Sequence, residues 1–265
     1  MSSVRDITYP PIVVAAKTAF KVLGLDIRLT GSEHIPRTGG VVLAFNHISY
    51  IDFILGGVAA QPAKRLVRFM AKRELFDHRI SGPLMRSLHH IEVDRDDGTK
   101  SYDVALDYLA AGEVVALFPE ATISRSFELK DFKTGTVRMA AKAGVPLIPV
   151  IIWGTQRIYT KDHPRDFSRG KVITLSVGAP VEVSGTDPMG DNARLRGDMV
   201  TLLDRAIRDY PQHEDGAWWV PRSYGGSAPS REEAATIERA EARARAERRR
   251  AERQALRDKP STPPG

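Results

Sequence analysis

The stretch "VVLAFNHISYIDF", residues 41–53, decides the fold of this chain and poses the question of its function. Its five leading apolar residues, 41–45, predict a buried strand. Asn46 and His47 follow that strand directly, and Asp52 comes five residues after the histidine. Ligand sites in sheets of mostly parallel strands lie at the strand ends, so this polar group indicates a site there.

Predicted strands and helices alternate through most of the chain. Further strands are expected at 65–72, 89–95, 113–120, 145–153 and 171–183. Helices are expected at 49–60, 77–88, 100–112, 134–144 and 191–209. This alternation predicts the α/β class, with a mixed, mostly parallel sheet flanked by helices.

The length of 265 residues is typical of one domain with appendages. The lack of cysteine excludes disulfides, thiolate metal sites and a cysteine nucleophile. No apolar run approaches the roughly 18 residues that predict a membrane-spanning helix. The first residues lack the basic and apolar regions of a signal peptide, which predicts a location on the cytoplasmic side.

The balance of charge narrows the choice of partners. The formal net charge of +6 and the pI of about 9.6 favour anionic lipids, phosphorylated substrates or nucleic acid. No nucleic-acid-binding motif occurs, and the basic residues are not interleaved with aromatic ones. Nucleic acid is therefore not expected as a partner.

Residues 11–24 predict a helix, because apolar positions recur at helical spacing. Lys17 and Lys21 lie on one side of it, and Gly24 is a suitable end. Two interpretations are open: a helix that covers the core, or an interfacial helix with its apolar face in lipid and its lysines toward head groups. On the second interpretation, residues 1–30 form an N-terminal amphipathic membrane-association segment.

The end of the chain differs in composition from the α/β region. From residue 230 onward, alanine alternates with charged residues and large apolar side chains almost vanish. Such a segment cannot build a core, which predicts a solvated helix or a disordered tail. We therefore expect an α/β domain at 31–225 and a charged tail at 226–265. Trp218 and Trp219, just before the tail, either anchor the protein to a membrane or pack on the domain.

His47 and Asp52 can form a catalytic pair only across a turn. Residues five apart in one helix lie about 140° apart around its axis, so these side chains cannot meet within a helix. If His47 lies in the turn after the strand and Asp52 in the first turn of the next helix, the carboxylate can accept the Nδ1 proton and leave Nε2 as a base. No G-x-S-x-G nucleophile motif is present, which favours direct attack of a substrate hydroxyl on an activated acyl group.

Two other interpretations of such residues are open at this point. A lone histidine and aspartate can simply cap a strand end and a helix start. A metal site is the second, since His90, Glu92 and Asp94 alternate along one strand face. No helical histidine pair or other ligand spacing supports that site.

Four blocks of the chain resemble, in order and spacing, those of the glycerolipid acyltransferase family. The matching residues are Asn46-His47 with Asp52, "AKRELF" at 71–76 with the residues up to Arg95, "LFPEATIS" at 117–124 with "FKTG" at 132–135, and "GVPLIPV" at 144–150. Within that family, the similarity is greatest to the 1-acyl-sn-glycerol-3-phosphate acyltransferases. The resemblance covers about residues 40–155.

The resemblance implies a role for each matched residue. His47 corresponds to the family's base and Asp52 to its partner. Arg95 corresponds to the arginine linked to the acceptor's phosphate, and Pro149 to the block linked to the acyl donor or its channel. The substrate-binding residues expected from the match are Asn46, Lys72, Arg95, Glu120, Thr122, Lys133 and Gly135.

The implied activity is acyl transfer from a thioester, carried by coenzyme A or acyl carrier protein, to the free hydroxyl of a lysophospholipid. The most similar enzymes imply 1-acyl-glycerol-3-phosphate as acceptor and phosphatidic acid as product. No metal and no cofactor beyond the thioester co-substrate are expected. Because the substrates are anionic and the lysolipid tail lies in a bilayer, we expect peripheral binding at the cytoplasmic face of a membrane.

The third block departs from the family pattern F-P-E-G-T-R-S. Ala121 replaces its glycine, which predicts a backbone that avoids positive φ. Ile123 replaces its arginine and removes a fixed charge with a bidentate phosphate contact. Arg125, Lys130 and Lys133 are candidates to supply that charge. Two alternatives stay open: another lipid acceptor, such as a lysophosphatidylinositol or a glycolipid, and a catalytically silent lipid-binding protein.

Overall fold

The apolar residues that open the quoted stretch form the central strand of a sheet. The computed structural model describes residues 9–94 and 98–257, and in it strand β2 (Val41–Phe45) is fully buried. Strand β2 pairs with β5 (Val114–Leu117) on one side and with β6 (Leu147–Trp153) on the other, in parallel in both cases. A strand covered on both faces meets no water, which explains its unbroken run of apolar residues.

Four further strands join these three: β1 (Asp26–Thr30), β3 (Val67–Lys72), β4 (Ile91–Val93) and β7 (Val172–Val177). The described residues thus form a seven-stranded sheet in the order β1-β7-β6-β2-β5-β3-β4. Neighbouring strands are parallel except β6 and β7, which run antiparallel. The predicted α/β class with a mixed, mostly parallel sheet is confirmed.

Helices cover both faces of this sheet. They are α1 (Tyr9–Val22), α2 (Asp52–Gly56), α3 (Arg73–Asp77), α4 (Ser81–Ser87), α5 (Gly98–Ala110), α6 (Gly135–Ala143), α7 (Pro188–Arg208) and α8 (Arg231–Arg257). Alternate residues of β2 enter two separate apolar clusters, Val42 and Ala44 one of them and Leu43 and Phe45 the other. The core therefore consists of two layers, one on each side of the sheet.

The order of the strands positions the site. The chain leaves β2 at the middle of the sheet and crosses to β3, and it later returns to place β5 and β6 on either side of β2. Because β2, β5 and β6 are parallel, the segments that follow them emerge at the same edge of the sheet, the one formed by the carboxyl ends of these strands. Open α/β sheets bind ligands at this carboxyl edge, beside a reversal of strand order.

Strand β1 was not predicted from the sequence. Its residues, "DIRLT", are alternately exposed and half-buried. Within the described sheet, β1 pairs only with β7. Polar residues on an edge strand hide the apolar pattern from which strands are predicted. The sheet therefore begins inside the segment 1–30 that we assigned to membrane association.

Helix α1 begins at Tyr9, and Gly24, with a φ of 57°, follows its end as predicted. The hydroxyl of Tyr9 donates to the Val67 carbonyl at 3.3 Å, which attaches the helix to β3. Val14 and Val22 are 63% and 61% exposed. The interfacial role of α1 stays a prediction. No helix among residues 9–94 and 98–257 is long and apolar enough to cross a membrane.

The tail region forms a helix over its described residues. Ser230 and Glu233 make a capping box at the start of α8, with the Ser230 amide donating to the Glu233 carboxylate at 2.8 Å and the Glu233 amide donating to the Ser230 hydroxyl at 3.2 Å. Ala234, one turn on, is buried against the domain. The first turns of α8 therefore pack on the α/β body.

The two tryptophans before α8 pack on the domain. Trp219 is 5% exposed within the core, and the guanidinium of Arg157 lies 4.4 Å from the centre of its ring. Trp218 stacks on His163 with ring centres 3.8 Å apart. The structure therefore shows the second of the two expected alternatives, packing on the domain, for the buried Trp219 and for the half-buried Trp218.

Candidate active site

The pair predicted from the sequence meets across the turn between β2 and α2. His47 lies two residues after the end of β2, and Asp52 is the first residue of α2. The Nδ1 atom of His47 lies 2.9 Å from Oδ2 of Asp52. A strand, a turn and a helix start thus join two side chains that a single helix would hold apart.

The carboxylate of Asp52 is fully buried and accepts several hydrogen bonds. Besides His47, the backbone amides of Ile48 and Ser49 donate to Oδ2 at 2.7 and 2.8 Å. The hydroxyl of Thr155 donates to Oδ1 at 2.6 Å. Because these donors use both oxygens as acceptors, the arrangement selects the tautomer of His47 with its proton on Nδ1 and its lone pair on Nε2.

Phe118, directly after β5, supports the ring of His47. The two rings stack with centres 4.1 Å apart and planes 20° apart. The side chain of His47 remains 20% exposed, whereas that of Asp52 is fully covered. The imidazole is therefore the member of the pair that a substrate can reach.

Glu120 connects the loop after β5 to residues 46–51, the turn between β2 and α2, which we call the catalytic turn. Its Oε1 accepts the His47 amide at 2.9 Å, and its Oε2 accepts the Lys130 amide at 3.0 Å. Burial raises the pKa of Glu120 from 4.5 to about 7, and the two amide hydrogen bonds oppose that rise. The sequence predicts Glu120 as an acceptor contact, but in the structure both carboxylate oxygens bind backbone, which is the arrangement of a positioning residue.

Asn46, also predicted to bind substrate, is committed to the sheet. Its Nδ2 donates to the Ile152 carbonyl at 3.0 Å, and its Oδ1 accepts the Ile152 amide at 2.7 Å. The residue is 1% exposed. It continues the pairing of β2 with β6 by one side-chain step, so its amide holds the start of the catalytic turn and has little access to a ligand.

Other expected substrate-binding residues lie near the same edge of the sheet. Lys72 ends β3, and Lys133 and Gly135 are at the end of the loop after β5 and the start of α6; all three are exposed. Thr122 is half-buried and accepts a hydrogen bond from Lys130 Nζ at 2.6 Å. These positions leave the two lysines accessible to an anionic substrate.

Two other residues belong to the matched blocks, Arg95 and Pro149. Arg95 lies outside the described residues, so its predicted contact with phosphate stays a prediction. Pro149 lies inside β6 opposite Ala44 of β2, and the whole of β6 is buried. Pro149 therefore shapes the sheet beside the site and is not on an accessible surface.

The residues considered for a metal site have other partners. His90 accepts the Phe69 amide on its Nδ1 at 3.1 Å, and burial lowers its pKa to about 4. Glu92 and Asp94 both pair with Arg73, at 2.7 Å in each case. Within the described residues no group of three or more histidine, cysteine or acidic side chains is arranged to hold a metal ion.

Comparisons with known proteins agree with this geometry. A family model described as Acyltransferase matches residues 26–153. The 1-acyl-sn-glycerol-3-phosphate acyltransferase of Bacillus subtilis is 28% identical over 184 residues, which is 69% of this chain and 87% of that enzyme. The alpha form of the mouse enzyme is 30% identical over 169 residues, 62% of this chain and 58% of that enzyme.

A solved structure extends the similarity to the fold. The 1-acyl-sn-glycerophosphate (LPA) acyltransferase PlsC from Thermotoga maritima superposes with a TM-score of 0.61 at 28% identity, covering 77% of this chain and 80% of that one. The chain belongs to the glycerolipid acyltransferase family. It is therefore an enzyme, an O-acyltransferase of the type that these relatives represent.

One residue of this acyltransferase, Ala121, has a positive φ at a position where the family pattern has glycine. Ala121 has a φ of 61°, so the expectation that alanine would avoid this region is wrong. The Ala121 amide donates to the Phe118 carbonyl at 2.9 Å, and the Ser124 amide donates to the His47 carbonyl at 2.8 Å. These bonds, with those of Glu120 in the same loop, over-determine the turn and hold alanine in a conformation that L-residues disfavour.

The residue in place of the family arginine is inside the protein. Ile123 is 4% exposed, so it supplies packing at a position where the family pattern has a charge. The cations of this loop follow it: Arg125, whose side chain is 4% exposed, and Lys130, which lies over Thr122. The third candidate, Lys133, is exposed and lies nearer to α6.

Sequence reasoning missed two contributors to the site. Thr155 binds Asp52 from 103 positions later in the chain, and Phe118 stacks on His47. Phe118 stands inside the recognised block, so its place beside the block's glutamate could have indicated it. Thr155 has no motif of its own, because its role follows only from β6 lying next to β2.

Proposed function

We propose that this enzyme transfers a fatty acyl chain from a thioester, carried by coenzyme A or acyl carrier protein, to the free hydroxyl of 1-acyl-glycerol-3-phosphate, giving phosphatidic acid. The observation that carries the proposal is the 2.9 Å contact between His47 Nδ1 and the buried Asp52 carboxylate. It leaves Nε2 of an accessible imidazole as the base. The relatives with this name add support for the acceptor.

The proposed chemistry needs no nucleophile from the protein. His47 Nε2 takes the proton of the acceptor hydroxyl as its oxygen attacks the thioester carbonyl. Asp52 stabilises the imidazolium that forms. Collapse of the tetrahedral intermediate breaks the carbon–sulfur bond, and the imidazolium returns its proton to the leaving thiolate. The products are an ester and a free thiol, and His47 is neutral again.

One observation favours a second candidate acceptor. Ile123 is buried where the family pattern has arginine, so this chain has lost one standard contact to a terminal phosphate. A larger head group, such as that of a lysophosphatidylinositol or a glycolipid, is the alternative. A silent lipid-binding protein is the weaker reading, because a buried carboxylate aligned on an accessible histidine has no use in binding alone.

We further propose that the enzyme works as a peripheral protein at the cytoplasmic face of a membrane. Helix α1 exposes Val14 and Val22 and carries Lys17 and Lys21, all accessible to a lipid surface. Apolar side chains next to lysines suit a helix that lies in the plane of an anionic interface.

A panel assay tests the proposed reaction. The purified enzyme is incubated with an acyl-CoA or acyl carrier protein thioester and a set of lysolipids, and products are identified by mass spectrometry. We expect phosphatidic acid from 1-acyl-glycerol-3-phosphate, and a loss of about 10²–10⁴ in rate for His47→Ala. Acylation of a different lysolipid alone would support the second candidate, and no transfer to any lipid would contradict the proposed reaction.

A further inference from the structure

Three cationic side chains lie beside the catalytic turn. The backbone amides of Lys130 and His47 share the Glu120 carboxylate, through hydrogen bonds of 3.0 and 2.9 Å, so the lysine stands in a loop that is tied to this turn. Arg125 adjoins Ser124, whose amide donates to the His47 carbonyl at 2.8 Å. Lys161 is half-buried nearby, and desolvation, together with the positive charges of Arg125 and Lys130, lowers its pKa. We call Arg125, Lys130 and Lys161 the cation cluster.

Helix α8 covers this cluster with two carboxylates. Glu238 Oε2 accepts from Lys130 Nζ at 2.6 Å, and Glu241 pairs with the guanidinium of Arg125. Glu238 and Glu241 follow the buried Ala234 by four and seven positions, so the three residues lie on one face of the helix. The face of α8 that meets the domain therefore carries its negative charges over the cations of the site.

The charge of the cluster is matched only while α8 is in place. Its three cations face the carboxylates of Asp162, Glu238 and Glu241, and Glu120, whose pKa burial raises to about 7, lies beside Lys130. Without the two carboxylates of α8, the cluster would keep a surplus of between one and two positive charges at pH 7. A phosphate monoester carries about −1.5 to −2 at pH 7, which matches that surplus.

Arg125 has hydrogen-bonding capacity to spare. Its side chain is 4% exposed and binds Asp162 through Nε and Glu241 through Nη2. Its buried Nη1 makes no hydrogen bond to any of the residues that the structure describes. An unsatisfied, buried guanidinium nitrogen is costly, and an anion with more oxygens than a carboxylate would satisfy it.

Beyond Glu241, helix α8 has little attachment to the α/β body. Every residue between 242 and 251 whose burial is described is exposed. The ion pairs of Glu238 and Glu241 are thus the last close contacts of α8 with the body among the described side chains.

We propose that Arg125 and Lys130 bind the phosphate of the acceptor lipid, and that Glu238 and Glu241 of α8 occupy this site until the phosphate displaces them. The proposal rests on the proposed transfer to a phosphorylated lysolipid. It also explains how Ile123 can be buried in the place of the family arginine. The contacts with the phosphate come instead from Arg125 and Lys130, two and seven residues after Ile123. The proposal also makes α8 a competitor of the acceptor.

Steady-state kinetics of matched variants test the competition. E238Q/E241Q removes both carboxylate charges at nearly constant shape, and E247Q removes one charge from an exposed position further along α8. For E238Q/E241Q we expect the KM for 1-acyl-glycerol-3-phosphate to fall about three- to tenfold, the worth of one or two partly exposed ion pairs. The KM for the acyl donor and for a phosphate-free 1-acylglycerol should not change, and E247Q should match the wild type.

Two kinetic results would overturn the proposal. An unchanged KM for the phosphorylated acceptor in the double variant would mean that the carboxylates do not compete with it. A fall in the donor KM instead would assign the cluster to the phosphates of coenzyme A. Failure of the wild type to acylate any lysolipid would remove the proposed function, and the following measurement would still test the displacement of α8.

A spin-label distance measurement follows α8 without catalysis. The chain has no cysteine, so T201C on α7 and A244C on α8, both at exposed positions, give a unique label pair. We expect inorganic phosphate to shift or broaden the distance distribution, and potassium chloride at equal ionic strength to leave it unchanged. The same distribution with saturating phosphate, or the same change with chloride, would show that α8 is not displaced by a specific anion.

Discussion

The carboxylate of Glu120 accepts a hydrogen bond from the backbone amide of His47 at 2.9 Å. Its other oxygen accepts the Lys130 amide, so one buried side chain joins the catalytic turn to the loop that carries Arg125 and Lys130. Both donors are backbone groups, which need an acceptor wherever water is excluded. Glu120 therefore sets the positions of His47 and of that loop together.

We expect Glu120→Gln to disturb both loops. A glutamine has one acceptor oxygen for two amides, and its NH₂ group would face the other amide donor. The cost of the unpaired group is about 1–3 kcal/mol in the free energy of unfolding. Urea unfolding should show this loss, and kcat should fall because His47 shifts. A variant with wild-type stability and turnover would contradict this role for Glu120.

The raised pKa of Glu120 predicts a pH dependence of stability. Below pH 4.5 the group is protonated in both folded and unfolded chains. Between pH 4.5 and about 7 the folded chain retains a proton that the unfolded chain has lost, so the free energy of unfolding falls as pH rises. The total is at most about 3 kcal/mol. The wild type should lose stability relative to Glu120→Gln between pH 4.5 and 8, and a constant difference would contradict the assignment.

Asp52→Asn should slow the reaction while keeping the turn. An amide oxygen can still accept from Ile48 and Ser49, and an amide nitrogen can donate to Thr155. The charge that stabilises the imidazolium of His47 is lost, and we expect kcat to fall by about 10²–10⁴. Circular dichroism and unfolding curves should change little.

Thr155→Val is the matched control for that loss. It removes the hydroxyl donor to Asp52 Oδ1 and keeps the carboxylate charge. The expected fall in kcat is about tenfold, the worth of one hydrogen bond to a charged group at the low end. If Thr155→Val were as damaging as Asp52→Asn, orientation and not charge would be the main contribution of Asp52.

The sequence predicts the centre of this structure better than its edges. Strand β2 and the His47–Asp52 pair are local: an apolar run identifies the first, and a five-residue spacing across a turn permits the second. Strand β1 escapes prediction because its polar residues face outward at the sheet edge. Its placement depends on pairing with β7, about 145 residues later, which no local pattern encodes.

The same limit applies within the site. Glu120 and Asn46 stand in recognisable blocks, but whether they face a substrate or the backbone depends on strand pairing. The contact of Glu238 with Lys130 joins positions 108 apart. Composition alone predicts a solvated tail, because alanine and charge give α8 no large apolar face, and the contacts with the body that follow the buried Ala234 are ion pairs.

Ala121→Gly should stabilise the enzyme. Alanine at a φ of 61° has a conformational cost of about 1–2 kcal/mol, which glycine avoids. Glycine increases the entropy of the unfolded chain by about 0.4–1 kcal/mol, so a net gain of about 0.5–1 kcal/mol remains. Ala193→Gly, at an exposed helical position of α7, should instead cost about 1 kcal/mol. A loss of stability in both variants would show that the turn at Ala121 is not strained.

Attachment to a membrane through α1 can be tested without removing the helix. Val14→Glu/Val22→Glu places two negative charges on side chains that are 63% and 61% exposed, so the fold should not suffer. The loss of apolar contact, with up to about 1 kcal/mol of repulsion per charge from anionic lipid, predicts vesicle binding at least about tenfold weaker. Turnover on bilayer-presented lysolipid should fall with it, and turnover on a short-chain, water-soluble acceptor should not.

Val200→Glu, a 43% exposed position on α7, controls for charge alone. Co-sedimentation with anionic vesicles measures binding, and equal release by Val200→Glu, or none by the α1 variant, would assign the contact with lipid to another surface.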